Sequence, residues 1–208
     1  MCEKMAEELK KATKEKIFRE AAELFSRDGY HKVSVREICE AAGVTKPVLY
    51  YYYGDKENLL FEMIRNTREL VQQNVDKYIV PGAKFTDQLK GIVRFYIDFI
   101  KEYPYLLKFL AFIQVMAIPD KVKNYKYETA KKDWQQIIIL FSDAQKNGEL
   151  QGDIDIKIAA KNFVGSIIVI LTDYLMEHIT YDEFCSELYE FLEFWKKQFV
   201  IEKINPEI

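Results

Sequence analysis

Glycine and proline are scarce, at eight and five in 208 residues. That scarcity counts against a fold of many short strands, because each hairpin needs residues that accept tight-turn angles. Cysteine occurs three times, as Cys2, Cys39 and Cys185, far apart and without a CxxC pair or a neighbouring histidine. Neither a disulfide framework nor a zinc site is expected, and Cys39 reads as a small core residue. The two histidines are His31 and His178, and no glycine-rich phosphate loop, GxSxG or histidine pair at metal spacing occurs. Acid–base and metal chemistry therefore have few actors, so no enzyme, cofactor or metal site is expected. Uninterrupted apolar runs such as Ile137 to Phe141 and Ile167 to Leu171 stop at five residues, against the roughly 20 of a membrane span. The opening MCEKMAEELKK alternates acids and bases with no apolar signal-peptide core, so a cytoplasmic protein is expected.

What the chain has is charge laid among apolar residues. Hydrophobic residues make up 49% and charged residues 30%, interspersed at three- and four-residue spacing. That pattern predicts an all-α protein with a real core. The net charge of -3 is unevenly spread: residues 1–56 hold eleven Lys/Arg against ten Asp/Glu, and the rest nineteen against twenty-three. The contrast permits a small nucleic-acid-reading head on an acidic body without demanding one.

Nine helices are expected. Ile17, Ala21, Leu24 and Phe25 mark the first over residues 13–28, closed by Gly29. Ser34-Val35-Arg36-Glu37 has the form of a capping box for a second helix ending at Gly43. Thr45 is placed to cap a third, with Pro47 in its first turn and Gly54 beyond its end. Asp55 caps a fourth that reaches Tyr78, before Val80-Pro81-Gly82. Further helices are expected from Thr86, from Pro104 to near Pro119, from Asp120 to Asn147, from Asp153 or Asp155 to His178, and from a second capping box at Thr180 and Glu183.

Two short helices joined at Gly43, the second opening Thr45-Lys46-Pro47, have helix-turn-helix spacing. Val35, Ile38, Cys39, Ala42, Val44 and Leu49 can form the rear of such a unit. Tyr50, Tyr51, Tyr52 and Tyr53 follow in succession. Consecutive helical residues point about 100° apart, so their rings fan around the helix. Tyr53, one turn beyond Leu49, should face the core, leaving Tyr50, Tyr51 and Tyr52 outside to meet phosphate oxygens or base edges. The competing reading makes them packing aromatics at a helix end.

Residues 13–60 resemble the DNA-binding domain of the tetracycline-repressor family of transcriptional regulators, IFREAAELFSRDGYHKVSVREICEAAGVTKPVLYYYYGDKENLL following its pattern across the three-helix head. The resemblance implies a DNA-binding domain at 1–56 and an effector-binding and dimerisation domain at 57–208. It implies phosphate contacts from Ser34 and Arg36, a DNA face of Thr45, Lys46, Pro47, Val48, Tyr50, Tyr51 and Tyr52, and Lys56 on the backbone. Lys46 is the candidate base donor, since lysine pairs guanine acceptors, and Val48 could meet a thymine methyl. Pro47 stands where glycine is common in the family, and Val48 where a small hydroxyl residue is.

Dimerisation has a reason of its own. FVGSIIVIL, from Phe163 to Leu171, is apolar almost all round, and such a helix must be buried on more than one side. Phe163, Ile167, Ile170, Leu171, Phe184, Leu188, Phe191 and Trp195 are the expected seam of a homodimer; a helix central to one domain is the alternative. The resemblance further implies a pocket for a small-molecule effector, with candidates Arg94, Tyr96, Phe99, Tyr103, Phe112, Gln114, Met116, Trp134, Asn162, Ser166, Thr172 and Asp173. A double-stranded DNA operator, a second copy and an apolar or aromatic effector are thus the expected partners. Effector binding would move the fourth helix, carrying Phe61 and Ile64, and relieve repression. A helical adaptor that binds only protein is the other class; it predicts no salt-dependent affinity for DNA.

Overall fold

A computed structural model describes residues 2–114 and 116–201, with the side chains of 2–4, 6 and 112 outside the description. The described residues form nine helices: α1 Cys2–Asp28, α2 Val35–Ala42, α3 Lys46–Tyr53, α4 Lys56–Tyr78, α5 Phe85–Glu102, α6 Pro104–Ile113, α7 Asp120–Lys146, α8 Ile156–Leu175 and α9 Tyr181–Phe199. The only extended pairing among them is an antiparallel bridge between Leu150 and Val200. The all-α expectation holds.

Most helix ends fall where the cap chemistry puts them. Ser34 and Thr180 each close a capping box, with Glu37 and Glu183 as the returning carboxylates. Asp155 caps α8 by accepting from the amides of Lys157 and Ile158, and Asp55 accepts from Asn58 at 2.7 Å ahead of α4. The departures have local causes. Helix α1 begins at Cys2, well before residue 13. Helix α5 starts at Phe85, because the Glu149 carboxylate takes the Phe85 amide at 2.7 Å and serves as a cap from far along the chain. Helix α6 stops at Ile113, short of Pro119, and α8 at Leu175, short of His178. Thr45 sits at the N-cap of α3 without making a side-chain cap bond.

The chain divides into two compact units. The first comprises Met1–Gln72 with Glu102–Tyr127. Its core joins Ile17, Ala21, Phe25, Ile38, Leu49, Tyr53, Leu59 and Met63 to Phe109, Ile113 and Val122, so α6 and the start of α7 complete the apolar interior of the helix-turn-helix head.

The second unit comprises Gln73–Lys101 with Glu128–Ile208. Its centre is an aromatic cluster around the fully buried Trp195, with Phe163 at 5.2 Å, Phe141 at 5.7 Å and Phe199 at 4.8 Å between ring centroids. The Trp195 indole N–H donates to Asn162 Oδ1 at 3.1 Å. This cluster and its surroundings take in most of the expected dimer seam. Phe163, Ile167, Leu171, Phe184, Leu188 and Trp195 are buried within the single chain, while Ile170 and Phe191 are half-buried. The six are used up where α8 packs on α9. The apolar side chains left in solvent on these two helices are others, Ile158, Ile168, Val169, Tyr189 and Phe194, with Met176 at the C-cap of α8.

Helix α8 is long and apolar enough, with mean hydropathy 1.5, to match a membrane span by length and composition. The short runs read from the sequence had excluded one; those runs are joined here by alanine, glycine and serine into one apolar helix.

Candidate nucleic-acid interface

The head presents α3 as a rod held from behind. Leu49 and Tyr53, one turn apart, are buried, and the Tyr53 hydroxyl donates to the Lys14 carbonyl of α1 at 3.1 Å. Burial pushes the Tyr53 phenol up to about 12. In front, Thr45, Lys46, Pro47, Tyr50 and Tyr51 are exposed, Tyr51 at 73%. Because Thr45 makes no cap bond, its hydroxyl is not spent on the helix. Val48 and Tyr52 stand half-buried. The Tyr52 ring meets Tyr51 edge-on at 5.1 Å, lies 5.8 Å from the Lys14 ammonium and packs on the head core. Tyr52, expected with its neighbours on the outer face, thus turns along the side of the helix, where the 100° step carries it toward α1.

The turn before α3 depends on Gly43, which adopts φ 60° and ψ 36°, the left-handed region that a residue without Cβ enters freely. Its amide bonds to the Cys39 and Glu40 carbonyls, closing α2. At the other end of α2 the Ser34 hydroxyl accepts from the Glu37 amide at 3.2 Å, and the Ser34 amide donates to Glu37 Oε2 at 2.7 Å. The Ser34 hydroxyl and amide hold the Glu37 carboxyl below its ordinary range. Arg36 is exposed and meets Glu40 at 3.4 Å, an exposed pair of small worth.

Lys56, expected on the backbone of a duplex, also has partners inside the head. Its ammonium donates to the Tyr30 carbonyl at 3.0 Å and the Val33 carbonyl at 2.9 Å, and lies 4.3 Å over the Tyr30 ring. Burial lowers its pKa. Two of its three donors are spent tying α4 to the connection before α2. The Tyr30 amide in turn donates to Met116 Sδ at 3.4 Å. Met116, expected to line an effector pocket, is therefore a contact of the head. Nothing in local sequence could reveal a bond between residues 86 positions apart.

The remaining pocket candidates divide between the units. Tyr103 and Gln114 lie in the first, the Tyr103 hydroxyl donating to Glu102 and Gln114 exposed; the side chain of Phe112 lies outside the described residues. In the second, Phe99 is buried beside Phe95 at 5.3 Å. Trp134 and Tyr96 are half-buried, with burial raising the Tyr96 phenol. Arg94, Asn162 and Thr172 are exposed. Ser166 and Thr172 donate to carbonyls four residues back on α8, and Asp173 pairs with His178 at 3.3 Å. Asn162 and Ser166 line a shallow depression of about 390 Å³ along α8 with Lys161, Gly165, Val169 and Ile170. Among the described residues no group of three or more His, Cys, Asp or Glu is placed to hold a metal ion.

Residues 17–63, the span of this head, match the family model described as bacterial regulatory proteins, tetR family. By this match the head is of the tetR family. Among curated relatives it is similar to the HTH-type transcriptional regulator UidR of Escherichia coli (strain K12), 24% identical over 80% of this chain and 84% of that one. Among solved structures it is similar to the ketosteroid transcriptional regulator KstR2 of Mycobacterium tuberculosis, with TM-score 0.75, 16% identity and coverage of 91% and 95%. It is also similar to the transcriptional regulator FadR of Bacillus subtilis in complex with stearoyl-CoA, with TM-score 0.70, 19% identity and coverage of 86% and 96%. The tetR-family architecture therefore extends over both units, and the protein is a transcriptional regulator of tetR type.

Proposed function

We propose that the protein is a cytoplasmic, ligand-responsive repressor that binds a near-palindromic operator as a homodimer and leaves it when a small apolar or aromatic effector binds. Residues 1–56 would read DNA, and residues 57–208 would bind the effector and the second copy. The observation that carries this reading is the division of α3 into a locked rear, Leu49 and Tyr53, and an exposed front of Thr45, Lys46, Pro47, Tyr50 and Tyr51. A helix held this way can enter a major groove without repacking. Lys46 would pair guanine acceptors, the tyrosine hydroxyls would take phosphate oxygens, and Ser34 and Arg36 would fix the register from α2.

Two further observations support the remainder. The bare apolar side chains on α8 and α9, Val169 and Phe194 among them, are a surface that a second copy could cover by two-fold symmetry. The stearoyl chain of the stearoyl-CoA in the Bacillus subtilis FadR structure and the ketosteroid of the Mycobacterium tuberculosis regulator's name are large apolar groups, in keeping with the aromatic interior of the second unit here. Binding would favour one body conformation, and α4, which belongs to the first unit up to Gln72 and to the second beyond it, would carry the change to the spacing of the two heads.

Selection of duplexes from a random pool by the full chain, with sequencing of what is retained, tests the reading. Recovery of one palindromic site, lost in Lys46→Ala and Tyr50→Ala, is expected. No enrichment over non-specific binding by folded, ligand-free protein would overturn it in favour of a helical adaptor.

A further inference from the structure

Where α1 leaves the core of the head, its inner stripe changes from apolar to basic. Ile17, Ala21 and Phe25 are buried, and the positions that continue their face outward, by steps of three and four, are the half-buried Thr13 and the exposed Lys14, Lys11 and Lys10. Met5 and Leu9 lie on the opposite side. The stripe is anchored beside the recognition helix: the Lys14 carbonyl receives the Tyr53 hydroxyl at 3.1 Å, and the Lys14 ammonium lies 5.8 Å from the Tyr52 ring centre. Acids accompany the row: Glu15 stands 3.9 Å from Lys11 in an exposed pair of small worth, and the exposed Glu7, three residues before Lys10 and four before Lys11, continues the same face at its outer end. Residues 7–12 are exposed on every side. A charged helical stretch of that length, packed against nothing, is marginal in water and gains from a partner that covers it.

We propose that this outward stretch of α1 is a second DNA-contacting element, in which Lys10, Lys11 and Lys14 hold phosphates flanking the bases that α3 reads. The proposal rests on the reading of the head as DNA-binding, and it assigns a task to a segment outside the helix-turn-helix. A row of ammonium groups continuous with an exposed recognition helix suits a polyanion, and it supplies affinity and footprint length without sequence preference.

The test is fluorescence anisotropy of the full chain on a duplex of about 40 base pairs and on duplexes enriched from a random pool, across about 50 to 300 mM salt. The variants are Lys10→Ala/Lys11→Ala/Lys14→Ala, the same three positions changed to arginine, and Lys131→Ala/Lys132→Ala on the exposed face of α7 as a charge control. The alanine triple should show a slope of log affinity on log salt shallower by about 2 to 3 per bound protomer, and binding roughly 100-fold weaker or more near 0.1 M salt, with flanking hydroxyl-radical protection lost and central protection kept. The arginine triple and the α7 control should keep the parental slope. If the triple's melting temperature shifts, Lys10→Ala/Lys11→Ala, which lies outside every packed contact, carries the comparison with a slope change of about 2. A parental slope and footprint in the alanine variants would overturn the proposal while leaving the head a DNA reader, as would an equal loss in the α7 control. Failure of the parent protein to bind any duplex would overturn both.

Discussion

The Lys56 ammonium donates to the Tyr30 carbonyl and also covers the Tyr30 ring, at 3.0 Å and 4.3 Å. One side chain at the start of α4 therefore fixes both the backbone and the aromatic face of the corner between α1 and α2. Tyr30 meets Phe25 at 5.4 Å on its other side and receives a sulfur contact from Met116. The placement of α2, and through it the turn at Gly43, is determined from α4 and from the connection after α6.

Replacing Lys56 by methionine should lower the stability of the head by about 1 to 3 kcal/mol, because two carbonyls lose a charged donor while the aliphatic stem is kept. Urea unfolding measures the change. The same variant separates the two tasks of this lysine. If it also holds a phosphate, the salt slope of DNA binding falls by about 1 at unchanged fold. If its amine serves only Tyr30 and Val33, affinity falls with stability and the slope stays.

Tyr53 predicts an alkaline limb of stability. Its phenol is pushed from 10 up to about 12 by burial, so between those values the unfolded chain ionises while the folded head keeps its proton. The unfolded state then binds fewer protons, and stability falls as pH rises through that window, by on the order of 2 kcal/mol from this group. Tyr53→Phe should lose about 1 kcal/mol at neutral pH with its bond to the Lys14 carbonyl, and should lose much less than the parent protein between pH 10 and 12. Tyr51→Ala should leave melting within about 0.5 kcal/mol at every pH, since its exposed ring is not in the core. An identical alkaline limb in Tyr53→Phe would refute the assignment.

Capping chemistry was legible in the sequence because it is local: Ser34 with Glu37, Thr180 with Glu183 and Asp55 with Asn58 all act across three residues, and each cap forms as read. The burial of Leu49 and Tyr53 followed from helical spacing in the same way. The start of α5 was not legible, because its cap is Glu149, 64 residues away. The internal partners of Lys56 and Met116 are not legible for the same reason: they lie far along the chain. The side chains of the expected α8 seam show a different limit. An all-round apolar helix reports that two faces need cover without reporting which face its own chain takes, and α9 takes Phe163, Ile167 and Leu171.

Gly91 marks a close approach that only glycine permits. A Cβ built there would stand 2.1 Å from the Tyr78 carbonyl oxygen and 2.9 Å from its carbon, so the end of α4 rests directly on the backbone of α5. Gly91→Ala must push two helices apart and should cost about 1 to 3 kcal/mol or more, measured by thermal or urea unfolding, although alanine is by propensity the better helix former. Gly43→Ala meets only the flexible Lys16 amine, at 3.2 Å. Its cost should stay near the 1 to 2 kcal/mol of a left-handed backbone. Gly91→Ala as stable as the parent protein would refute the close packing of these helices.

The bare face of α8 and α9 yields the sharpest contrast between positions close in sequence. Val169 is 61% exposed and Phe194 60% exposed, whereas Ile167 and Trp195, their near neighbours, are fully buried. If a second copy covers the outer face, Val169→Glu/Phe194→Glu places two acids in each half of a symmetric apolar seam, with no cationic partner supplied by the change. Unpaired charges there are costly enough to dissociate a dimer. In one chain alone those positions face water, so the fold should survive: sedimentation should report a helical monomer with far-ultraviolet dichroism like that of the parent. DNA affinity should fall steeply, because a single head reads only half a palindrome. Ile167→Glu should instead abolish folding, by burying a carboxylate against the Trp195 cluster. A double variant that remains a dimer would move the seam to another face of the second unit, and a parent protein that sediments as a monomer at micromolar concentration would leave these side chains without the symmetric partner proposed for them.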